Sequence, residues 1–172
     1  MSLVLRPATP ADAAAVAALG RAGFTAAFGH LYQPENLAAF LADSHAEEVT
    51  RAQIDNPALR TMLAERDGAL VGFCKLVLAC GWPELARGHH AIELKQLYTA
   101  PDTTGGGIGT SLMGWALAEA RAAGADEVQL SVWCGNTGAQ RFYARHGFAK
   151  VGDVEFHVGS QVDHEFLFAR LL

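Results

Sequence analysis

Neither a long apolar run nor an excess of basic residues occurs in these 172 residues. A membrane-spanning helix needs ~18 or more consecutive apolar residues, and no stretch approaches that length, so no membrane role is expected. Lys and Arg total 13 against 18 Asp and Glu, a formal net charge of −5. That balance repels nucleic-acid phosphates instead of releasing their counterions, and excludes nucleic acid as the expected partner. Cysteine is scarce: Cys74, Cys80 and Cys134 are odd in number and form no CxxC pair, which argues against a disulfide framework and a structural zinc site. His89 and His90 are adjacent, so their side chains diverge, and no third ligand stands at a familiar spacing; they read as loop histidines, with no metal. The opening MSLVLRP lacks a basic segment followed by an apolar core and cleavage site, so a cytoplasmic address is expected. Repeats and low-complexity linkers are absent as well.

What is present is apolar residues, 51% of the chain. A single domain over 1–172 is expected, long enough to bury about 70% of its unfolded surface. Leu3 to Arg6 reads as a strand. Thr9-Pro10-Ala11-Asp12 supplies an N-cap, a helix-compatible proline and an acid at N3 for a helix to about Phe28. Pro34 to Asp43 reads as a second helix, and Ser44-His45-Ala46-Glu47 as a capping box for a third that ends before Pro57. Leu59 to Arg66 and Ala69 to Ala79 are strand-like and meet at Asp67-Gly68, a hairpin signal. Beyond the loop Cys80 to His90 come a strand Ala91 to Thr99, a glycine-rich turn Pro101 to Gly109 and a helix to Gly124. A strand Glu127 to Trp133, a helix Thr137 to His146 and two terminal strands, Phe148 to Val158 and Asp163 to Leu171, complete a mixed α/β domain of about seven strands. Hairpins and βαβ crossovers together require a mixed sheet.

The strand, Thr104-Gly105-Gly106-Gly107-Ile108-Gly109-Thr110, helix sequence has the chemistry of a phosphate site. Glycines let several backbone N–H groups converge, and the helix adds its unpaired amides and positive dipole end. Gly109 costs roughly 1 kcal/mol relative to Ala in a first turn, a loss that close ligand approach would justify. A P-loop would need a lysine after the last glycine, and none is there. The dinucleotide fingerprint also breaks, ending on Thr110 or Leu112, which leaves an NAD-binding protein as a weak alternative.

The segment Thr104 to Gly109 resembles the acyl-CoA-binding signature of the GNAT N-acetyltransferases, Gln/Arg-x-x-Gly-x-Gly/Ala after a strand, with Thr104 in place of Gln or Arg and Gly106 where a basic residue is frequent. Asn136-Thr137-Gly138-Ala139-Gln140-Arg141-Phe142-Tyr143 with Gly147-Phe148 is similar to the helix motif that closes the same site. Phe28 to Leu37 and Glu93 to Tyr98 look most like the PaiA-type branch, associated with polyamines such as spermidine. The resemblance implies a GNAT-like fold with a twisted sheet flanked by helices, and acetyl-CoA entering where two parallel strands separate. It implies acetyl transfer to a primary amine of a small molecule, with the alternative of a catalytically silent acyl-CoA-binding module. It further implies donor contacts from Leu97, Tyr98 and Thr99, from the turn Thr104, Gly105, Gly106, Gly107, Ile108, Gly109 and Thr110, and from Asn136, which is also a good helix N-cap.

Period-two alternation puts Glu93, Lys95, Leu97 and Thr99 on one strand face. An acid in an apolar strand needs a reason: an ion pair with Lys95, orientation of the substrate, or a general base for an amine that arrives protonated. Tyr143 is either a core tyrosine or, as the resemblance implies, the acid that protonates the departing thiolate. Cys134 has no evident activating neighbour and is not expected to carry an acyl group. Oligomeric state is open, with a homodimer as one outcome.

Overall fold

A computed structural model describes residues 2–103 and 105–172. Seven strands form one sheet in the order β1-β2-β3-β4-β5-β7-β6: β1 Leu3–Pro7, β2 Leu59–Arg66, β3 Ala69–Val77, β4 Ala91–Thr99, β5 Glu127–Trp133, β6 Ala149–Val158 and β7 Gln161–Leu171. All neighbours are antiparallel except β4 and β5. Asp67 and Gly68 both have positive φ, 53° and 78°, the geometry of the two-residue turn whose twist matches a hairpin.

Helices cover both faces. Against one lies α4 (Ile108–Ala122), whose Ile108, Leu112, Met113 and Ala116 pack onto Cys74, Leu76, Ile92, Leu94, Val128 and Leu130. Phe142 and Tyr143 of α5 (Thr137–Arg145) join the same cluster. Against the other face Val16 of α1 (Ala13–Phe28) packs with Leu63 and Phe73, flanked by α2 (Pro34–Ser44) and α3 (Glu47–Asp55).

Two capping expectations change in detail. The Thr9–Asp12 box forms, but around a short 3-10 turn, Pro10–Asp12, ahead of α1. Asp12 accepts from the Thr9 N–H at 2.8 Å and also pairs with Arg6 at 2.9 Å. The Ser44–Glu47 box does not form: Ser44 ends α2, and Ala46 is the N-cap of α3 without a side-chain bond. The connection is fixed instead by His45. Its carbonyl accepts from Arg21 at 2.7 Å, while its buried ring sits among Phe24, Phe40 and Tyr98. Burial lowers that imidazole to about 4, keeping it neutral.

The parallel pairing of β4 with β5 ends after three residue pairs, at Glu93↔Gln129. From Leu94 onward the β5-facing edge of β4 is unpaired, and the sheet opens. Across the opening, the α1–α2 connection and the first turn of α2 are tied to the terminal hairpin: Tyr32 donates to Asp163 Oδ2, and Asn36 Oδ1 accepts from Ser160 N at 2.9 Å. No helix among the described residues is long and apolar enough to cross a membrane.

Candidate active site

At the opening lies a cavity of about 650 Å³. Glu93, Leu97, Tyr98, Thr99, Asn136 and Tyr143 all line it, so six of the residues singled out from the sequence converge on one space. They reach it from opposite faces of the sheet. Leu76 pairs with Leu94 but Lys75 with Gln96, so Lys95 is the extra residue of a β-bulge. The bulge overturns the expected alternation. Glu93 points away from the α4 cluster that holds Ile92 and Leu94, whereas Leu97 packs toward that cluster and Tyr98 toward Phe73. Thr99 follows Leu97, not Glu93. Of the three readings of Glu93, the ion pair with Lys95 is absent among the described residues, and Lys95 is exposed.

Burial raises the Glu93 carboxyl above its ordinary range, and the Lys95 charge offsets this only in part. Tyr143, set edge-on to Phe142 and Phe148, is likewise pushed up by burial and keeps its proton. Asn136 does cap α5, with Oδ1 accepting from Ala139 N at 3.1 Å. Its amide NH₂ remains for the cavity it lines, so both readings of that residue are compatible.

The glycine turn lies beyond the cavity wall, at the N-terminus of α4. Gly105 and Gly107 have φ of +85° and +72°, and a Cβ built on either would meet nothing within 4 Å. Among the described residues their outer face is therefore open. The first bond inside α4 is Ser111 N–H to Gly107 O, 3.0 Å, so the amides of Ile108, Gly109 and Thr110 have no partner within the helix. Ile108 offers only its backbone, since its side chain is in the core. Gly109 has a packing reason not foreseen from the sequence: a Cβ there would meet the Phe142 ring at 3.3 Å. Thr104 lies outside the described residues.

Sequence reasoning missed most of the cavity's wall. Phe24 packs on Phe40 with ring centroids 4.3 Å apart, Phe40 on Phe156 at 5.5 Å, and Phe28 edge-on to Trp133 at 6.4 Å. Trp82 is held there because Gln129 bonds its backbone on both sides, at 3.2 and 3.0 Å. Glu165 of β7 pairs with Trp133 and is 8% exposed. Burial raises its carboxyl, partly offset by the Ser131 hydroxyl. An acid inside an apolar strand was the signal at Glu93, and the same signal stands at Glu165.

The backbone edge of β4, the glycine turn and the first amides of α4, which have no partner within the helix, suit an acyl donor that carries phosphates at one end. Comparison with known proteins agrees. The model of the acetyltransferase (GNAT) family matches residues 25–148. An uncharacterized N-acetyltransferase of Mycobacterium bovis is 31% identical over 94% of this chain and 98% of its own. The aminoalkylphosphonate N-acetyltransferase of Salmonella typhimurium is 35% identical over 56% of this chain and 61% of its own. Among solved structures, the PaiA N-acetyltransferase of Thermoplasma acidophilum in complex with coenzyme A superimposes with a TM-score of 0.82 at 21% identity, covering 100% of both chains. The split sheet, the glycine turn ahead of α4 and the match over most of the chain have one explanation: this protein belongs to the GNAT family of acetyltransferases, with acetyl-CoA as its donor.

Proposed function

We propose that the amine acetylated by this enzyme is a small polycation of the polyamine class, and that Glu93 and Tyr143 handle the two protons of the transfer. The observation that carries the acceptor class is the cavity wall: Asp43, Glu93 and Glu165 stand among the faces of Phe24, Phe28, Phe40, Trp133 and Phe156. Carboxylates bind ammonium groups, and aromatic faces take both the methylene spacers and the charge. Among the described residues lining this space, Lys95 is the one cation. An acceptor with a negative group, such as an aminoalkylphosphonate, would meet repulsion here.

Acetyl-CoA supplies the acetyl group as an activated thioester. The unpaired edge of β4 offers backbone N–H groups to the acyl arm, and a fixed amide aimed at the carbonyl oxygen stabilises the charge that develops there. Glu93, directly or through one water, takes the proton the acceptor ammonium must lose before its nitrogen lone pair can attack the acetyl carbon. As the new N–C bond forms and the C–S bond breaks, the Tyr143 hydroxyl gives its proton to the departing sulfur. The phenolate left behind is neutralised by the second proton, which the acylated nitrogen sheds to become a neutral amide. A phenol carries its proton at neutral pH and can donate it without first being activated.

The acceptor class is tested by measuring kcat/KM for spermidine, a monoamine of similar length and 2-aminoethylphosphonate at low and high salt. Spermidine should be the best substrate and should lose most on adding salt, because charge attraction at an open cavity is screened beyond ~8 Å at physiological ionic strength. Equal efficiency and equal salt response for the three amines would remove the polyamine assignment and leave acetyl transfer intact.

A further inference from the structure

The phosphate-binding turn carries no cation of its own. From Pro101 to Ala120 the sequence has neither Lys nor Arg. A guanidinium nevertheless stands on the turn, supplied by another part of the sheet. Arg66, the last residue of β2, donates from Nη2 to the Gly106 carbonyl at 3.0 Å. Its two terminal nitrogens lie 2.8 Å from the point a Cβ on Gly106 would occupy. Any side chain at 106 would displace the guanidinium, so the missing side chain and the arginine go together.

The placement follows from strand register. Arg66 pairs with Ala69 across the Asp67-Gly68 turn, and Gly72 of β3 pairs with Thr99 of β4, the strand that runs out into the glycine turn. The end of the β2–β3 hairpin is thereby brought beside Gly106. Arg66 forms no ion pair among the described residues, whereas Arg6 on neighbouring β1 is held by both Asp12 and Glu65. One N–H of Arg66 is used on a carbonyl, and among the described residues the rest of its five-donor planar fork has no partner.

We infer that Arg66 is the cationic member of the donor site, its guanidinium binding a phosphate of CoA beside the amides of Gly105 to Gly109 in place of the basic side chain the turn lacks. The inference rests on the turn being the phosphate cradle. A bidentate guanidinium–phosphate contact is charge-assisted and geometrically specific, and it explains how a turn of bare glycines in a protein of net charge −5 holds a polyanion.

The test is calorimetric titration of the full chain with CoA and, separately, with pantetheine, which has no phosphate. Arg66→Ala should weaken CoA binding by about tenfold or more, by less at high salt, and leave pantetheine unchanged. Gly106→Ala, which pushes the guanidinium aside without removing its charge, should give the same CoA-specific loss. Unchanged CoA affinity in Arg66→Ala would overturn the inference. Equal weakening of CoA and pantetheine would overturn it too, because Arg66 would then only shape the turn. Gly107→Val, strained at its left-handed φ and filling the open face, tests the cradle itself. Loss of CoA in Gly107→Val beside wild-type affinity in Arg66→Ala would reject Arg66 alone, whereas wild-type affinity in both would reject the cradle.

Discussion

Replacing Tyr143 with phenylalanine is expected to lower kcat by ~10²-fold or more, with KM for acetyl-CoA and thermal stability little changed. The ring makes the packing contacts with Phe142 and Phe148, and phenylalanine keeps the ring. Only the hydroxyl is lost, and it acts when the sulfur departs, so the loss falls on kcat and not on ground-state binding. Steady-state kinetics with acetyl-CoA varied, alongside a melting curve, separate the two. Wild-type turnover in this variant would mean that Tyr143 is a core residue that happens to line the cavity.

Glu93→Gln is the second large effect. At neutral pH kcat/KM should fall by ~10²-fold, since an amine with an ordinary pKa near 10.4 is then almost wholly protonated and has lost its proton acceptor. As the pH approaches that value free amine accumulates, the base becomes unnecessary, and the variant should recover toward wild type. The wild-type profile should also carry an acid limb above the ordinary glutamate range. Burial raises the Glu93 pKa, so the carboxylate the reaction needs is lost as pH falls through that raised value. Glu93→Gln should lack this limb. A loss of the same size at every pH would make Glu93 an orienting group, because orientation does not depend on how much amine is already neutral.

The elements legible in the sequence are those with local causes. Asp67-Gly68 announces its hairpin because both residues tolerate positive φ, and α4 starts after Gly107 because a left-handed residue there ends the turn. The strand–glycine–helix order and the Asn136–Tyr143 segment are contiguous in sequence, so the family could be read directly. What failed depends on neighbours distant in the chain. Ser44 and Glu47 have the composition of a capping box, yet the Arg21 bond to the His45 carbonyl and the burial of the His45 ring decide where α2 stops. Lys95 sits at a bulge fixed by its pairing with β3, and that one extra residue moves Leu97 and Thr99 to the face opposite Glu93. Gly109 is shaped by Phe142, a residue of another helix. The aromatic wall joins α1, α2, β5 and β6, four elements whose convergence only the fold supplies.

The proposed chemistry is direct transfer between an amine and an acetyl thioester brought together in one cavity, opened by the early end of the β4–β5 pairing. It is tested most directly by incubating the enzyme with acetyl-CoA and a panel of amines, counting thiol released and weighing the amine product. Thiol release that requires an amine, matched by an equal amount of singly acetylated amine, is the expected result. Tight CoA binding with no amine in the panel raising thiol release above the amine-free rate would contradict it, and would mark the chain as a binding module on an acetyltransferase fold.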